Sequence, residues 1–126
     1  MQSGFHRRWF VASLAGMALV LVLTHIPQEA MPRVLQQHML DKVEHIVAYG
    51  LVAILFLLSL PNPVRAVRAA AGLLVLAGVG VLDEMTQPFV NRIASVSDYV
   101  SDLIGIALAC MVFLVRKRLK ADTTSS

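Results

Sequence analysis

The chain has 126 residues, 57% of them hydrophobic and 15% charged, and its mean hydropathy is +0.71. Soluble domains carry about a quarter charged residues, so this composition excludes an ordinary water-soluble domain. The net charge of +3 comes from basic residues that flank apolar runs without aromatic interleaving, which speaks against nucleic acid as a partner.

Four apolar blocks follow in chain order, at residues 9–26, 46–60, 69–82 and 99–115. A helix that crosses the hydrocarbon core needs about 17–25 residues. His6, Arg7 and Arg8 before the first block resemble the start of a signal peptide. Thr24-His25-Ile26-Pro27 lacks a small-x-small cleavage pattern, so this segment reads as a retained anchor. Residues 32–40 fit a short interfacial helix. The second block is short, and a span of 44–60 draws His45 and its neighbours to the interface. Pro61 and Pro63 then punctuate a turn. The third block crosses as 66–83 if Arg65 and Arg68 snorkel at one end and Asp83 sits at the other. Gly72, Ala77, Gly78 and Gly80 in this block, and Gly105 with Ala109 in the fourth, suit close helix packing within the bundle. The fourth span covers 98–115 and contains Cys110, whose solitude excludes an intramolecular disulfide. The expected fold is an all-α membrane protein: one domain over residues 1–126, a four-transmembrane-helix bundle with both termini cytoplasmic.

Orientation rests on the basic residues. Arg7, Arg8, Arg65, Arg68, Arg116, Lys117, Arg118 and Lys120 fall on one side of four spans, against Arg33, Lys42 and Arg92 on the other, so the first side is cytoplasmic. The acids are distributed in the opposite sense. Only Asp122 is inside, whereas Glu29, Asp41, Glu44, Asp83, Glu84, Asp98 and Asp102 belong to the outer segments or the helix ends beside them. Acidic residues contribute little to orientation, so this clustering needs another cause.

Asp41, His45 and Tyr49 are spaced i, i+4, i+8 and share one helix face. Asp41 also suits the first turn of a helix through the dipole, with His45 simply interfacial. The Tyr49 hydroxyl lies a turn deeper and needs a partner, for which His45 and Asp41 are the nearest candidates. In the second outer segment, Asp83 and Gln87 lie one turn apart, as do Asp98 and Asp102. Arg92 is the natural counter-ion of this loop. Ser95-x-x-Asp98 has capping-box spacing, which accounts for Asp98 but not for Asp102, an acid one turn further into the span. His6, His25 and His38 have no partner pattern and read as incidental. His45 with Asp41, Asp83 and Glu84 shows no defined metal-ligand spacing, so no metal and no other cofactor is expected.

These residues carry a resemblance. The chain resembles the VanZ-like family of small bacterial membrane proteins, which show Asp-Lys-x-x-His-x-x-x-Tyr entering the second helix, here Asp41, Lys42, His45 and Tyr49. The family's Asp-Glu-x-x-Gln, Phe and Arg are matched by Asp83, Glu84, Gln87, Phe89 and Arg92, and its last-helix element by Asp98 and Gly105. Asn91 replaces the usual Pro-Gly before the arginine, and Asp102 stands where the family has asparagine. The family takes its name from a teicoplanin-resistance accessory, so the resemblance implies an envelope protein of the bacterial cytoplasmic membrane.

Three functions fit. The first is an accessory whose outer polar pocket takes a lipid-linked or amphiphilic envelope ligand through Asp41, Lys42, His45, Tyr49, Asp83, Glu84, Gln87, Arg92, Asp98 and Asp102. The second is a membrane-embedded enzyme acting on a lipid head group, with Asp41, His45, Glu84 and Asp98 as acid–base candidates. The third is a scaffold of a larger envelope complex.

Overall fold

Apolar helices joined by short polar turns can bury their backbone only within themselves, and the computed structural model, which describes residues 4–30 and 38–124, is all-helical over that range. Helix α1 spans Arg7–Thr24, α2 His38–Ser59, α3 Ala66–Thr86 and α4 Val96–Thr124, with short 3-10 turns at Gln28–Ala30 and Gln87–Val90. All four are long and apolar enough to cross a membrane, over Arg7–Thr24, Leu40–Ser59, Ala66–Val90 (which takes in the 3-10 turn after α3) and Val96–Ala121. The proposed interfacial helix falls largely on 31–37, outside the described residues, as does Arg33; His38 through Leu40 already belong to α2. Helix α4 runs past 115 through Arg116–Lys120, because lysine, arginine and leucine are good helix formers wherever the helix ends.

Helix α2 is central, packed on α4 and α1, while α3 packs chiefly on α4. Tyr49, Val52 and Ala53 are buried in the middle with Met17, Val20, Leu76, Ile106 and Ala109. Large apolar side chains such as Val22, Leu74 and Val112 face outward, and the polar side chains His45, Asp83, Gln87, Ser101 and Asp102 face inward. This inversion of the soluble pattern suits a surface whose solvent is hydrocarbon.

Small residues set the closest approach. A Cβ on Gly105 would overlap the Ile46 carbonyl oxygen and lie 3.0 Å from Gly50 N, so α2 and α4 touch backbone to backbone there. At Gly72 the Phe56 ring fills the side-chain space, and at Gly80 the Asp102 carboxylate does. Gly78, expected among the packing residues, faces open space instead. Ser13 Oγ donates to the Val52 carbonyl at 3.1 Å and ties α1 to α2.

Candidate functional site

The up-down order of the helices brings the end of α1, the start of α2, the end of α3 and the start of α4 to one end of the bundle. Each contributes polar groups by helical spacing. Asp41, His45 and Tyr49 line the inner face of α2, as their spacing predicts. Helix α3 turns Gly80, Asp83, Glu84 and Gln87 inward, and α4 turns Asp98, Ser101, Asp102 and Gly105 inward, both at i, i+3, i+4, i+7. The ten residues singled out in the sequence therefore meet in one polar layer.

The inner part of this layer is fully buried. His45 Nδ1 and Asp102 Oδ1 are 2.8 Å apart, with the imidazole 3% and the carboxylate 0% exposed. The ring of Tyr49 lies parallel to that of His45, 6.5 Å between centroids. Contrary to the expectation from spacing, its hydroxyl bonds neither His45 nor Asp41; it is buried, and its hydrogen-bonding neighbour is Asp83. Among the described residues, Asp102 Oδ2 is buried without a hydrogen-bond partner. Glu84 takes a bond from the Ser95 backbone N–H at 2.8 Å and a long one, 3.4 Å, from Gln87 Nε2. The expected capping box is thus not what holds Ser95, whose N–H goes to α3. Asp98 and Tyr99 instead donate their N–H groups to the Ser95 carbonyl, at 3.0 and 3.2 Å.

The outer part is ion-paired across helices. Arg92 Nη2 donates to Asp41 Oδ1 at 3.2 Å, and Lys42 Nζ stands 3.7 Å from Asp98 Oδ1. Arg92 therefore reaches beyond its own segment, where it was read as counter-ion, to Asp41 on α2. The cause is Asn91, whose φ of 57° reverses the chain after the 3-10 turn, with the Arg92 N–H bonded to the Gln87 carbonyl. Asparagine is among the few non-glycine residues that tolerate this left-handed conformation. Phe89, matched in the family pattern, is 85% exposed and takes no part in the layer.

His25, read as incidental, belongs to the site. Its Nδ1 lies 2.8 Å from the Leu21 carbonyl and 3.3 Å from Asp83 Oδ1, and its Nε2 lies 2.8 Å from Thr86 Oγ1. Thr24 Oγ1 donates to the same Asp83 Oδ1 at 2.7 Å. The signal was available: Thr24 and His25 close the first apolar block on the side where Asp83 closes the third.

A cavity of about 730 Å³ lies between α1 and α2. Its walls are apolar, from Gly16 and Leu55 past Leu19, Val47 and Leu51, and one end carries Asp41, Glu44, His45 and Arg92. A long apolar trough closed by charged and hydrogen-bonding groups has the division that an amphiphile requires. Asp102 holds one ring nitrogen of His45, which fixes the ring and leaves Nε2 for other chemistry. No protein-family model, curated protein or solved structure matches the chain.

Proposed function

We propose that this chain is a multi-pass protein of the bacterial cytoplasmic membrane, both termini on the cytoplasmic side, that holds one lipid-linked or other amphiphilic envelope ligand. The ligand's chain would lie in the α1–α2 cavity and its head group at Asp41, His45 and Arg92. The observation that carries this reading is the cavity itself, apolar along its length and charged at one end. Basic residues gathered at the opposite end of the bundle support the orientation. The resemblance to the VanZ-like family supports an envelope setting and a link to glycopeptide resistance.

Arg92 supplies the discrimination. A guanidinium at the cavity end favours a phosphate or carboxylate head group, and charge-assisted hydrogen bonds contribute about 1.5–3 kcal/mol each. With the full chain in detergent, a polyprenyl phosphate is expected to bind more tightly than phosphatidylcholine. Arg92→Ala is expected to remove at least tenfold of that affinity, since 1.4 kcal/mol is a factor of ten. Equal binding of both amphiphiles, or an Arg92→Ala variant that binds like wild type, sinks the proposal.

One geometric fact favours a second reading. The His45–Asp102 bond orients an imidazole as an acid–base catalyst requires, facing the same cavity. An enzyme would alter the head group of the bound amphiphile, detectable by mass spectrometry, and lose that turnover in His45→Ala. Binding without any change in the amphiphile leaves the accessory reading.

A further inference from the structure

Among the described residues, the polar layer as a whole gathers more carboxylates than permanent cations. Asp41, Asp83, Glu84, Asp98 and Asp102 converge there, and the permanent cations paired with them, Arg92 and Lys42, are engaged with Asp41 and Asp98. Glu84 and Asp102 are 7% and 0% exposed, and Asp102 is bonded to the single imidazole of His45. Ionised carboxylates withdrawn from solvent to this extent need a proton, a cation or several hydrogen bonds. Asp102 has one of its two oxygens in no hydrogen bond at all.

Geometry supplies the means of compensation. One ligand atom each from His45, Glu84 and Asp102 lies within 4.8 Å of the other two, on three different helices. Donors that share a zinc ion at about 2.0–2.2 Å stand about 3.3 Å apart, so modest side-chain rotation closes a shell around one ion. The Asp102 Oδ2 atom lies 3.0 Å from where a Gly80 side chain would begin, so the absence of a side chain at Gly80 is what gives that oxygen room. A second group, Asp41, His45 and Asp98, has similar spacing, but its two carboxylates are already paired with Arg92 and Lys42.

The geometry points to a divalent transition-metal site formed by His45, Glu84 and Asp102, taking Zn2+ or Mn2+. Imidazole with carboxylate oxygens suits these ions, whereas Mg2+ and Ca2+ prefer all-oxygen shells. The ion would pin α2, α3 and α4 together beneath the cavity end and leave Arg92 outside its shell. His45 is shared with the proposed head-group site, whereas Glu84 and Asp102 do not line the cavity, so substitutions at those two test the metal site apart from amphiphile binding.

The test is calorimetric titration of the chelator-treated full chain in detergent with Zn2+, Mn2+ and Ca2+. One Zn2+ or Mn2+ per chain is expected, at least tenfold tighter than Ca2+. The near-isosteric Glu84→Gln and Asp102→Asn are each expected to weaken binding at least tenfold, and Glu29→Gln, an exposed residue outside the site, to leave it unchanged. Absence of stoichiometric Zn2+ or Mn2+ binding by the wild-type chain overturns the proposal, whatever the variants do. So does binding that Glu84→Gln and Asp102→Asn, verified monodisperse and helical, leave intact.

Discussion

Replacing Gly105 by alanine separates packing from intrinsic helix propensity, because the two predict opposite signs. In a helix interior, alanine is favoured over glycine by about 1 kcal/mol. At Gly105 the new methyl would overlap the Ile46 carbonyl oxygen and sit 3.0 Å from both Gly50 N and the Ile46 carbonyl carbon, where ordinary contact begins at 3.4 Å. Helices α2 and α4 must therefore part by at least about 0.4 Å, and further to clear the oxygen. Overpacking of this kind costs about 1–3 kcal/mol, which exceeds the propensity gain. The same displacement reaches the site, since His45 precedes Ile46 and Asp102 lies one turn before Gly105. Their 2.8 Å bond would lengthen to about 3.2 Å or more, the outer edge of a useful hydrogen bond. Melting can be followed in detergent with a fluorogenic maleimide, which reports Cys110, the only cysteine and partly buried in α4. Gly78→Ala, where nothing lies within 4 Å, is the control and is expected to be neutral or stabilising. Gly50→Ala, whose tightest contact would be 3.2 Å to the Gly105 carbonyl, should fall between the two. A Gly105→Ala protein that melts at or above the Gly78→Ala temperature would refute the close approach of α2 and α4.

Thr24→Val keeps the shape but removes the hydroxyl that donates to Asp83, leaving a buried carboxylate short of a donor; the expected loss is about 1–3 kcal/mol, seen as a lower melting temperature in the same assay. The proposed orientation predicts that a reporter active only outside the cytoplasm works when fused after Asn91 or Gln36 and fails after Asn62 or Ser126. Activity at Ser126 would require a different number of spans.

The apolar blocks made the four helices legible, and helical spacing made the inward faces legible, since Asp41, His45 and Tyr49 fall on one stripe of α2. What the sequence concealed were partners distant along the chain. The contacts of His25 with Asp83 and Thr86 join residues about sixty apart, and only the shared end of the first and third apolar blocks, not any local motif, points to them. Arg92 was read with its own segment because one partner it reaches, Asp41, is 51 residues away and is approached through the left-handed turn at Asn91. The capping-box spacing of Ser95 and Asp98 failed for a related reason. A carboxylate from α3 competes for the same N–H, and local spacing takes no account of neighbours brought in by tertiary packing.

The division of the polar layer follows from what each helix end can reach. Lys42 and Arg92 are long side chains at the rim, so they satisfy Asp98 and Asp41 and remain close enough to the cavity for an anionic head group to compete for them. One turn further in, α2 offers only His45 and Tyr49, and the inward faces of α3 and α4 offer only acids, an amide and a hydroxyl. The permanent cations of the rim pairs are engaged with Asp98 and Asp41, and among the described residues Asp102 Oδ2 stays unpaired away from solvent. A buried arrangement of this kind is unfavourable in isolation, and its persistence across three helices is intelligible if something else completes it. The compensation comes from a proton or from an ion small enough to sit between helices, and the metal titration, unlike amphiphile binding, distinguishes the two.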